Sequence, residues 1–298
     1  MKEATRLDPR YAEAYALKAR AWDFIGIIRG ADGKEAFENA RLAAKTALSL
    51  KPNLAMAHAA LGYIYIYADW NLKAAEDELS PVHDKDALVL RDLSTIRSIQ
   101  WRAEEAIALN KEAISLDPVH EVLYADLAGK LVSLGQLDQA KEAARKAIEL
   151  QPTAANAHSA LATIAILQKQ PDVAMREAEL APNGVIHDVA VTLAQQTRGD
   201  QPEADAAVNM LIERHAADDP LGIAVVYAYR GEADKVFAWL DRAYALHEPR
   251  LIGNLTNPFL ERYRSDPRFA ALCHKMSLPA PPMSLSLSTG RPKGDSRL

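Results

Sequence analysis

The sequence is poor in features on which several protein classes depend. It contains one cysteine in 298 residues, Cys273, so it can form neither an intrachain disulfide nor a cysteine-rich zinc site. Aromatic residues make up only 6% of the chain, which disfavours a sheet built from aromatic and β-branched side chains. A reducing compartment suits such a chain, and we expect a cytoplasmic, all-α protein.

Neither its charge nor its apolar segments suit a nucleic-acid-binding or membrane protein. The formal net charge is −5, so no basic field is present to attract a phosphate backbone. No segment approaches the roughly 18 uninterrupted apolar residues of a membrane span, and the first ten residues lack the apolar core of a signal peptide. We therefore expect no nucleic-acid ligand and no membrane association.

Residues suited to catalysis or metal binding are scattered. The eight histidines stand singly, without the i, i+4 pair that places two ligands on one helix face. Gly33 and Lys34 suggest a phosphate loop but lack its upstream glycine and its following Ser or Thr. Cys273 and His274 are adjacent, so on a helix their side chains diverge by about 100°. We predict no catalytic, cofactor or metal site, and no enzyme.

The sequence does contain a repeat. Prolines 9, 52, 118 and 152 each follow a leucine by two positions and an alanine by five. Ten residues after these prolines stand small residues, namely Ala19, Gly62, Ala128 and Ala162. Small residues let two helices approach closely, and proline ends a helix because it cannot continue one. Each unit is therefore predicted to be a pair of helices.

The repeat resembles the tetratricopeptide repeat, whose period is 34 residues, the spacing from Pro118 to Pro152. The interval from Pro9 to Pro52 is nine residues longer, and we assign the excess to a loop at residues 23–35, between the helices of the first unit. The interval from Pro52 to Pro118 is two residues short of two periods. This deficit falls at residues 80–87 or at residues 98–105, where Trp101 replaces the usual turn glycine.

The repeat predicts the architecture of the whole chain. Residues 186–215 and 219–246 are expected to form two more pairs, and Asp266 and Pro267 mark the start of a capping helix. The fold is predicted to be a right-handed superhelical solenoid of about seven antiparallel helix pairs over residues 1–248. Capping helices follow over residues 249–278, and a disordered tail rich in Pro and Ser over residues 279–298.

A narrower resemblance covers residues 2–278 and is most specific at 227–279. These residues are similar to the C-terminal repeat region of bacterial regulatory proteins in which a nucleotide-cyclase or winged-helix effector domain precedes the repeats. The resemblance implies a sensory or scaffolding arm. Because the chain begins within the second helix of a repeat, we expect self-association through the exposed face of residues 1–20.

In such solenoids the first helix of each pair lines a concave groove, and we expect a protein or peptide partner to bind there. The candidate groove residues are Glu13, Arg20, Met56, Tyr63, Arg91, Thr95, Asp126, Asn156 and Thr163. Some family members grip a C-terminal carboxylate with Lys and Asn, but Ala16, Arg20 and Ala60 occupy those sites, so a chaperone-type clamp is not supported. Two alternatives remain: a fragment of a cyclase or transcriptional regulator without its effector, and a homo-assembly module.

Overall fold

The computed structural model describes residues 2–282, which form 17 α-helices and three short 3₁₀ helices. The α-helices, numbered in chain order, are α1 Lys2–Leu7, α2 Ala12–Ile28, α3 Lys34–Leu50, α4 Ala55–Tyr67, α5 Leu72–Leu79, α6 Ala87–Ile99, α7 Ala103–Leu116, α8 Glu121–Ser133, α9 Leu137–Leu150, α10 Ala155–Leu167, α11 Pro171–Leu180, α12 Val185–Arg198, α13 Gln201–His215, α14 Pro220–Arg230, α15 Ala233–Ala245, α16 Leu251–Asn254 and α17 Pro267–Lys275. The 3₁₀ helices are Gly30–Gly33, Ser80–Lys85 and Glu261–Tyr263. The predicted disordered tail lies largely outside the described residues.

Helices α2 to α15 pack as seven consecutive pairs, from α2 with α3 to α14 with α15. First helices also pack on the first helix of the next pair, as α2 does on α4 and α8 on α10. The predicted all-α solenoid of paired helices is confirmed. Helix α1 precedes the first complete pair, where the sequence indicated half a repeat.

Small buried residues bring the two helices of a pair together. Ala19, Ala128 and Ala162 are buried on their first helices, as is Gly62 in the second pair. A Cβ added to Gly62 would lie 2.5 Å from Leu79 Cδ2 of α5. The spacing of small residues in the sequence therefore corresponds to close helix approach.

His58, Tyr124 and His158 stand six residues after the prolines of their repeats and have a structural role. His58 Nε2 lies 2.8 Å from the carbonyl oxygen of Pro52, and His158 Nε2 lies 3.0 Å from that of Pro152. The Tyr124 hydroxyl donates to the carbonyl oxygen of its own proline, Pro118, at 3.1 Å. Each side chain thus joins its helix to the turn that precedes it.

The nine extra residues of the first pair do not form the predicted loop. Helix α2 continues to Ile28, a 3₁₀ turn covers Gly30–Gly33, and α3 begins at Lys34. Both helices therefore have 17 residues, whereas α4 and α8 have 13. Extending both helices keeps their backbone groups paired and buries Gly26 against Phe37, which a long loop would not do.

The structure places the two-residue deficit at the first of its two predicted positions. The first helices α6, α8 and α10 begin 34 residues apart, at Ala87, Glu121 and Ala155, but α4 begins only 32 residues before α6. The segment that differs is α5, which has eight residues and ends in the 3₁₀ helix Ser80–Lys85. The turn around Trp101 keeps the full length of the repeat.

Residues 247–282, which we call the C-terminal block, pack back onto the second and third pairs. Helix α16 contacts the first helices α4 and α6. Phe269 and Leu272 of α17 share one hydrophobic core with Ile66 of α4 and Ile96 of α6. Asp266 begins α17 by accepting a hydrogen bond from the Arg268 amide at 2.9 Å. The block therefore covers part of the face that the first helices present.

Candidate functional site

The first helices place a group of charged and tyrosine side chains on their inner faces. We call this group the inner cluster. Its members are Arg20 and Asp23 of α2, Tyr63 and Tyr67 of α4, Arg91 and Asp92 of α6, and Asp126 and Lys130 of α8. Four successive pairs thus contribute to one polar cluster, because stacked repeats place their first helices side by side.

Arg91 is the centre of the inner cluster. Its Nη2 donates to Asp92 Oδ1 at 2.6 Å, and its Nε lies 3.6 Å from Asp126 Oδ2. Its guanidinium carbon lies 5.4 Å from the centroid of the Tyr63 ring, and that of Arg20 lies 5.0 Å from the same centroid. Two cation–π contacts and the Arg91–Asp126 ion pair therefore join helices α2, α4, α6 and α8, whereas the Arg91–Asp92 pair lies within α6.

Burial dominates the electrostatics of the inner cluster. It raises the pKa of Asp23 to about 8, although the nearby Arg20 acts in the opposite direction. Burial also raises the pKa of Asp92 against the effect of Arg91, and it lowers the pKa of Lys130. For Arg91 burial alone would lower the pKa, but Asp92 and Asp126 outweigh it and raise the pKa.

Asp23 is the least satisfied member of the inner cluster. The residue is 1% exposed, and neither carboxyl oxygen has a hydrogen-bond partner among the described residues. Oδ2 lies 3.5 Å from Arg20 Nη1, which in turn lies 3.9 Å from Asp92 Oδ2. Because both separations exceed normal hydrogen-bond lengths, a neutral Asp23 carboxyl suits this position better than a carboxylate.

The structure brings together only some of the residues predicted to line the groove. Arg20, Tyr63, Arg91 and Asp126 meet in the inner cluster. Thr95 lies beside the cluster, where its side chain hydrogen-bonds with that of Tyr67, and the other four are placed apart. Thr95 is buried and donates to the Arg91 carbonyl, Glu13 pairs with Lys51, Met56 packs near Ala16, Asn156 is exposed, and Thr163 is half-buried.

The burial of α6 differs from that of an open groove. Arg91 and Thr95 are each 8% exposed, whereas they were expected to face a ligand. The physical reason is that α16 lies against α4 and α6, so the C-terminal block occupies the space that a ligand would need there. On α10, which carries Asn156 and Thr163, the predicted positions remain accessible.

Two tryptophans hold the C-terminal block, and the sequence reasoning assigned a role to neither. Trp70 stacks on the His247 imidazole with ring centroids 3.9 Å apart, and His247 Nε2 lies 2.7 Å from the Ala68 carbonyl oxygen. Trp101 donates its indole N–H to the Pro279 carbonyl oxygen at 3.0 Å. The available signal was position, since both tryptophans stand where other pairs have a turn glycine, such as Gly135.

A second buried charged group lies where the last pair meets the block. Arg250 Nη2 donates to Asp219 Oδ1 at 2.8 Å and lies 3.1 Å from Glu248 Oε1, while the Leu221 amide donates to Glu248 Oε2. Burial, followed by the nearby charge of Asp219, raises the pKa of Glu248 to about 8 against the opposite effect of Arg250. Two carboxyl groups thus share one guanidinium, which fixes the start of α14 against the block.

The described residues offer little for metal, thiol or membrane chemistry. Within residues 2–282 no three His, Cys, Asp or Glu side chains are grouped so as to hold a metal ion. Cys273 is fully buried, and burial raises the pKa of its thiol to about 11. None of the helices in this range combines the length and apolar character needed to cross a membrane.

Comparisons with known proteins agree with the repeat. Residues 100–164, which include α7, α8 and α9, match the sequence profile of the tetratricopeptide repeat. The Hsp70-Hsp90 organising protein of Plasmodium falciparum is 34% identical over 70 residues, which cover 24% of this chain and 28% of that protein. The match therefore spans little more than a quarter of that relative.

Solved structures show the same fold at low identity. The structure of the APC/C hetero-tetramer Cut9–Hcn1 has a TM-score of 0.62 at 16% identity, covering 88% of this chain and 51% of that one. The type IV pilus biogenesis factor PilW has a TM-score of 0.52 at 14% identity, covering 68% and 92%. Residues 100–164 thus carry tetratricopeptide repeats, and the solved structures show the same paired-helix fold over most of the chain.

Proposed function

We propose that this protein is a non-catalytic scaffold that binds a polypeptide on its concave face, at α8 and α10. The observation that carries the proposal is the state of the polar side chains along that face. Asn156 is exposed and Thr163 half-buried on α10, and among the described residues neither side chain has a hydrogen bond. Polar side chains without an intramolecular hydrogen bond, on a rigid helix face, are suited to bond the backbone of an extended polypeptide.

The rest of the concave face supports this location. On α2, α4 and α6 the polar groups engage one another within the inner cluster, and the C-terminal block covers α4 and α6. Asp126 of α8 stands at the border of the cluster, with its side chain 26% exposed. A partner that reaches α8 and α10 would therefore meet Asp126 at one side and Asn156 and Thr163 at the other.

Affinity capture with the full chain tests the proposal. The bait is compared with the variant Asn156→Ala/Thr163→Ala and with a matched control, Lys111→Ala/Glu112→Ala, on the exposed face of the outer helix α7. We expect the wild type and the control to retain a partner that the α10 variant loses. Equal capture by all three chains would contradict a site on α10.

The biological setting is part of the same proposal. The similarity of residues 227–279 to the ending of bacterial regulatory proteins supports a role as the sensory or regulatory arm of a cytoplasmic signalling or transcription-regulatory protein. A partner like that implied by the name of the Hsp70-Hsp90 organising protein is less favoured, because Ala16, Arg20 and Ala60 replace the expected carboxylate-binding residues.

A second candidate function, homo-assembly, rests on the apolar face of α2. Leu17, Phe24 and Ile28 lie on one side of this helix, and Phe24 and Ile28 are 65% and 60% exposed. A second copy could cover this face by packing its own α2 against it. Sedimentation equilibrium distinguishes the two functions: self-association lost in Phe24→Ser/Ile28→Ser but kept in Leu180→Ser favours assembly, and a monomer at all concentrations contradicts it.

A further inference from the structure

Four residues that follow α17 run across the third helix pair. Within this segment, residues 279–282, Pro279 accepts the hydrogen bond from Trp101 Nε1 at 3.0 Å, Pro281 is buried, and Pro282 lines a cavity beside Trp101. The segment belongs to no helix or strand. It is therefore held by contacts with the turn around Trp101, which lies 178 residues earlier in the sequence than Pro279.

The contacts of the Trp101 ring hold it in place beside the segment. Trp101 has φ +63°, in the left-handed region that disfavours residues with a Cβ, and the equivalent turn position in the next pair is Gly135. Lys169 has the same conformation in the fifth pair but is exposed, so it is the contacts of the Trp101 ring that set this turn apart. Here the ring lies against Arg264, whose guanidinium carbon is 4.9 Å from it, and its centroid is 6.4 Å from that of Phe269. These contacts fix the ring and direct its N–H at the segment.

The conformation of residues 279–282 follows from their prolines. Proline fixes φ near −65° and pushes the preceding residue into an extended conformation. Because three of the four residues 279–282 are proline, the segment is stiff and extended before it binds, and its carbonyl groups remain free to accept hydrogen bonds. An indole N–H beside an aromatic surface is the arrangement by which proteins recognise proline-rich segments.

The cavity leaves room for a longer ligand. It has a volume of about 330 Å³ and extends past Pro282 between the ends of α6 and α8. Its walls are polar as well as aromatic, and include Ser98, Lys130, Ser133, Gln136 and Thr256. Hydroxyl, amide and ammonium donors at this distance from Trp101 suit the carbonyl groups of further residues of an extended chain.

We propose that Trp101, Arg264 and the cavity beside them form a binding site for proline-rich extended segments, which the chain fills with its own residues 279–282. This inference goes beyond the proposed function, because the site lies at the turns after α6 and α8 and does not include Asn156 or Thr163 of α10. It shares with that function only that the partner is a polypeptide. A partner segment competes here with the chain's own segment, which is present at a high effective concentration because it is covalently attached.

Indole N–H resonances of the ¹⁵N-tryptophan-labelled full chain test the proposal. The chain has four tryptophans, and Trp101→Phe assigns the resonance of Trp101. The probe is a synthetic peptide with the sequence of residues 278–285, LPAPPMSL. The host variant Pro279→Ala/Pro281→Ala/Pro282→Ala loosens the chain's own segment. We expect the peptide to move the Trp101 resonance in this variant with a Kd at least about tenfold lower than in the wild type.

Two controls make the result specific. The same peptide with its prolines replaced by alanine is expected to bind at least about tenfold more weakly. Trp239→Phe in the triple-alanine host, the variant with residues 279, 281 and 282 replaced, is expected to leave binding unchanged. Trp101→Phe in that host lacks the reporter resonance, so its binding is followed by the fluorescence anisotropy of the dye-labelled peptide, and we expect most of the binding to be lost. Any one of three results would overturn the proposal. These are no response of the Trp101 resonance in the triple-alanine host, an equal response to the alanine peptide, and undiminished binding by Trp101→Phe. Because Asn156→Ala/Thr163→Ala tests the concave face separately, failure here leaves that test standing.

Discussion

The indole of Trp70 and the imidazole of His247 stack with centroids 3.9 Å apart and planes inclined by 18°. Trp70 lies in the turn of the second helix pair, and His247 follows the last pair. The solenoid is therefore fastened between its early pairs and its end. Both residues have positive φ, +51° and +52°, so each turn accepts backbone strain to make the contact.

Replacing His247 tests this fastening. His247→Asn keeps a residue that tolerates the left-handed conformation but removes the stacking ring and its contact with the Ala68 carbonyl. We expect a loss of about 1–1.5 kcal/mol in the free energy of unfolding, measured by urea denaturation. The control is His274→Asn, at an exposed position of α17, which should change stability by less than about 0.5 kcal/mol. Equal effects of the two substitutions would contradict the role of His247.

Turn positions with positive φ predict opposite effects of glycine. Lys169, at the turn of the fifth pair, has φ +57° and is exposed, so Lys169→Gly should raise the free energy of unfolding by roughly 0.5–1 kcal/mol. Trp101→Gly relieves the same strain but removes the contacts with Arg264 and Phe269, and should lower it by about 2–3 kcal/mol. Chemical denaturation measures both changes in the free energy of unfolding. A stabilising Trp101→Gly would contradict the role of the ring in holding the C-terminal block.

Asp23 predicts a pH dependence of stability. Burial raises its pKa to about 8 in the folded protein, against an ordinary value of about 3.9 in an unfolded chain. The folded state therefore binds more protons between these values. The stabilising contribution of the protonated group is fully present below pH ~4 and is lost as the pH rises towards 8.

Asp23→Asn isolates this contribution, because asparagine has a similar shape and no charge at any pH. From pH 5 to pH 8 the wild type should lose stability relative to the variant by up to about 1.4 kcal/mol per pH unit. Urea denaturation of both chains at each pH gives the difference. Other titrating groups, such as Glu248, are common to the two chains and cancel. Parallel pH profiles would show that Asp23 is ionised in the folded protein.

Two glycines on first helices should respond oppositely to alanine. Gly62 faces Leu79, and an added Cβ would lie 2.5 Å from its Cδ2, so Gly62→Ala should cost about 1–3 kcal/mol. Gly129 has no heavy atom within 4 Å of an added Cβ, so Gly129→Ala should stabilise α8 by about 0.5–1 kcal/mol. Thermal unfolding of the pair checks the repeat packing, and a tolerated Gly62→Ala would contradict the close approach of α4 and α5.

Much of the fold could be predicted from the sequence because contacts within a repeat are local. Pro118 and Pro152 give the period, and Ala128 and Ala162 mark where helices approach. His58 and His158 bond to the carbonyl groups of prolines six residues earlier, so their role follows from their position in the repeat. Contacts between residues of one repeat depend on their spacing in the sequence, so they can be predicted from it.

Other features were predicted wrongly or not at all. The nine extra residues after Trp22 lengthen two helices, because the sequence pattern registers an insertion but does not show whether its backbone groups stay paired. Arg91 and Thr95 are buried on α6, and α16, which begins at Leu251, packs against that helix, a contact that the sequence does not indicate. Trp101 was noticed as a missing glycine, but its partner Pro279 could not be inferred.

The sequence by itself determined the repeating units of this protein: the pairing of helices, the period of 34 residues, and the small residues that let a pair pack closely. The tertiary structure alone decided the long-range contacts of the C-terminal block. They include those of His247 with Ala68 and of Trp101 with Pro279, across separations of 179 and 178 residues. The physical reason is cumulative geometry. Each pair adds a small rotation to the solenoid, and only the sum over all pairs brings the C-terminal block against α4 and α6.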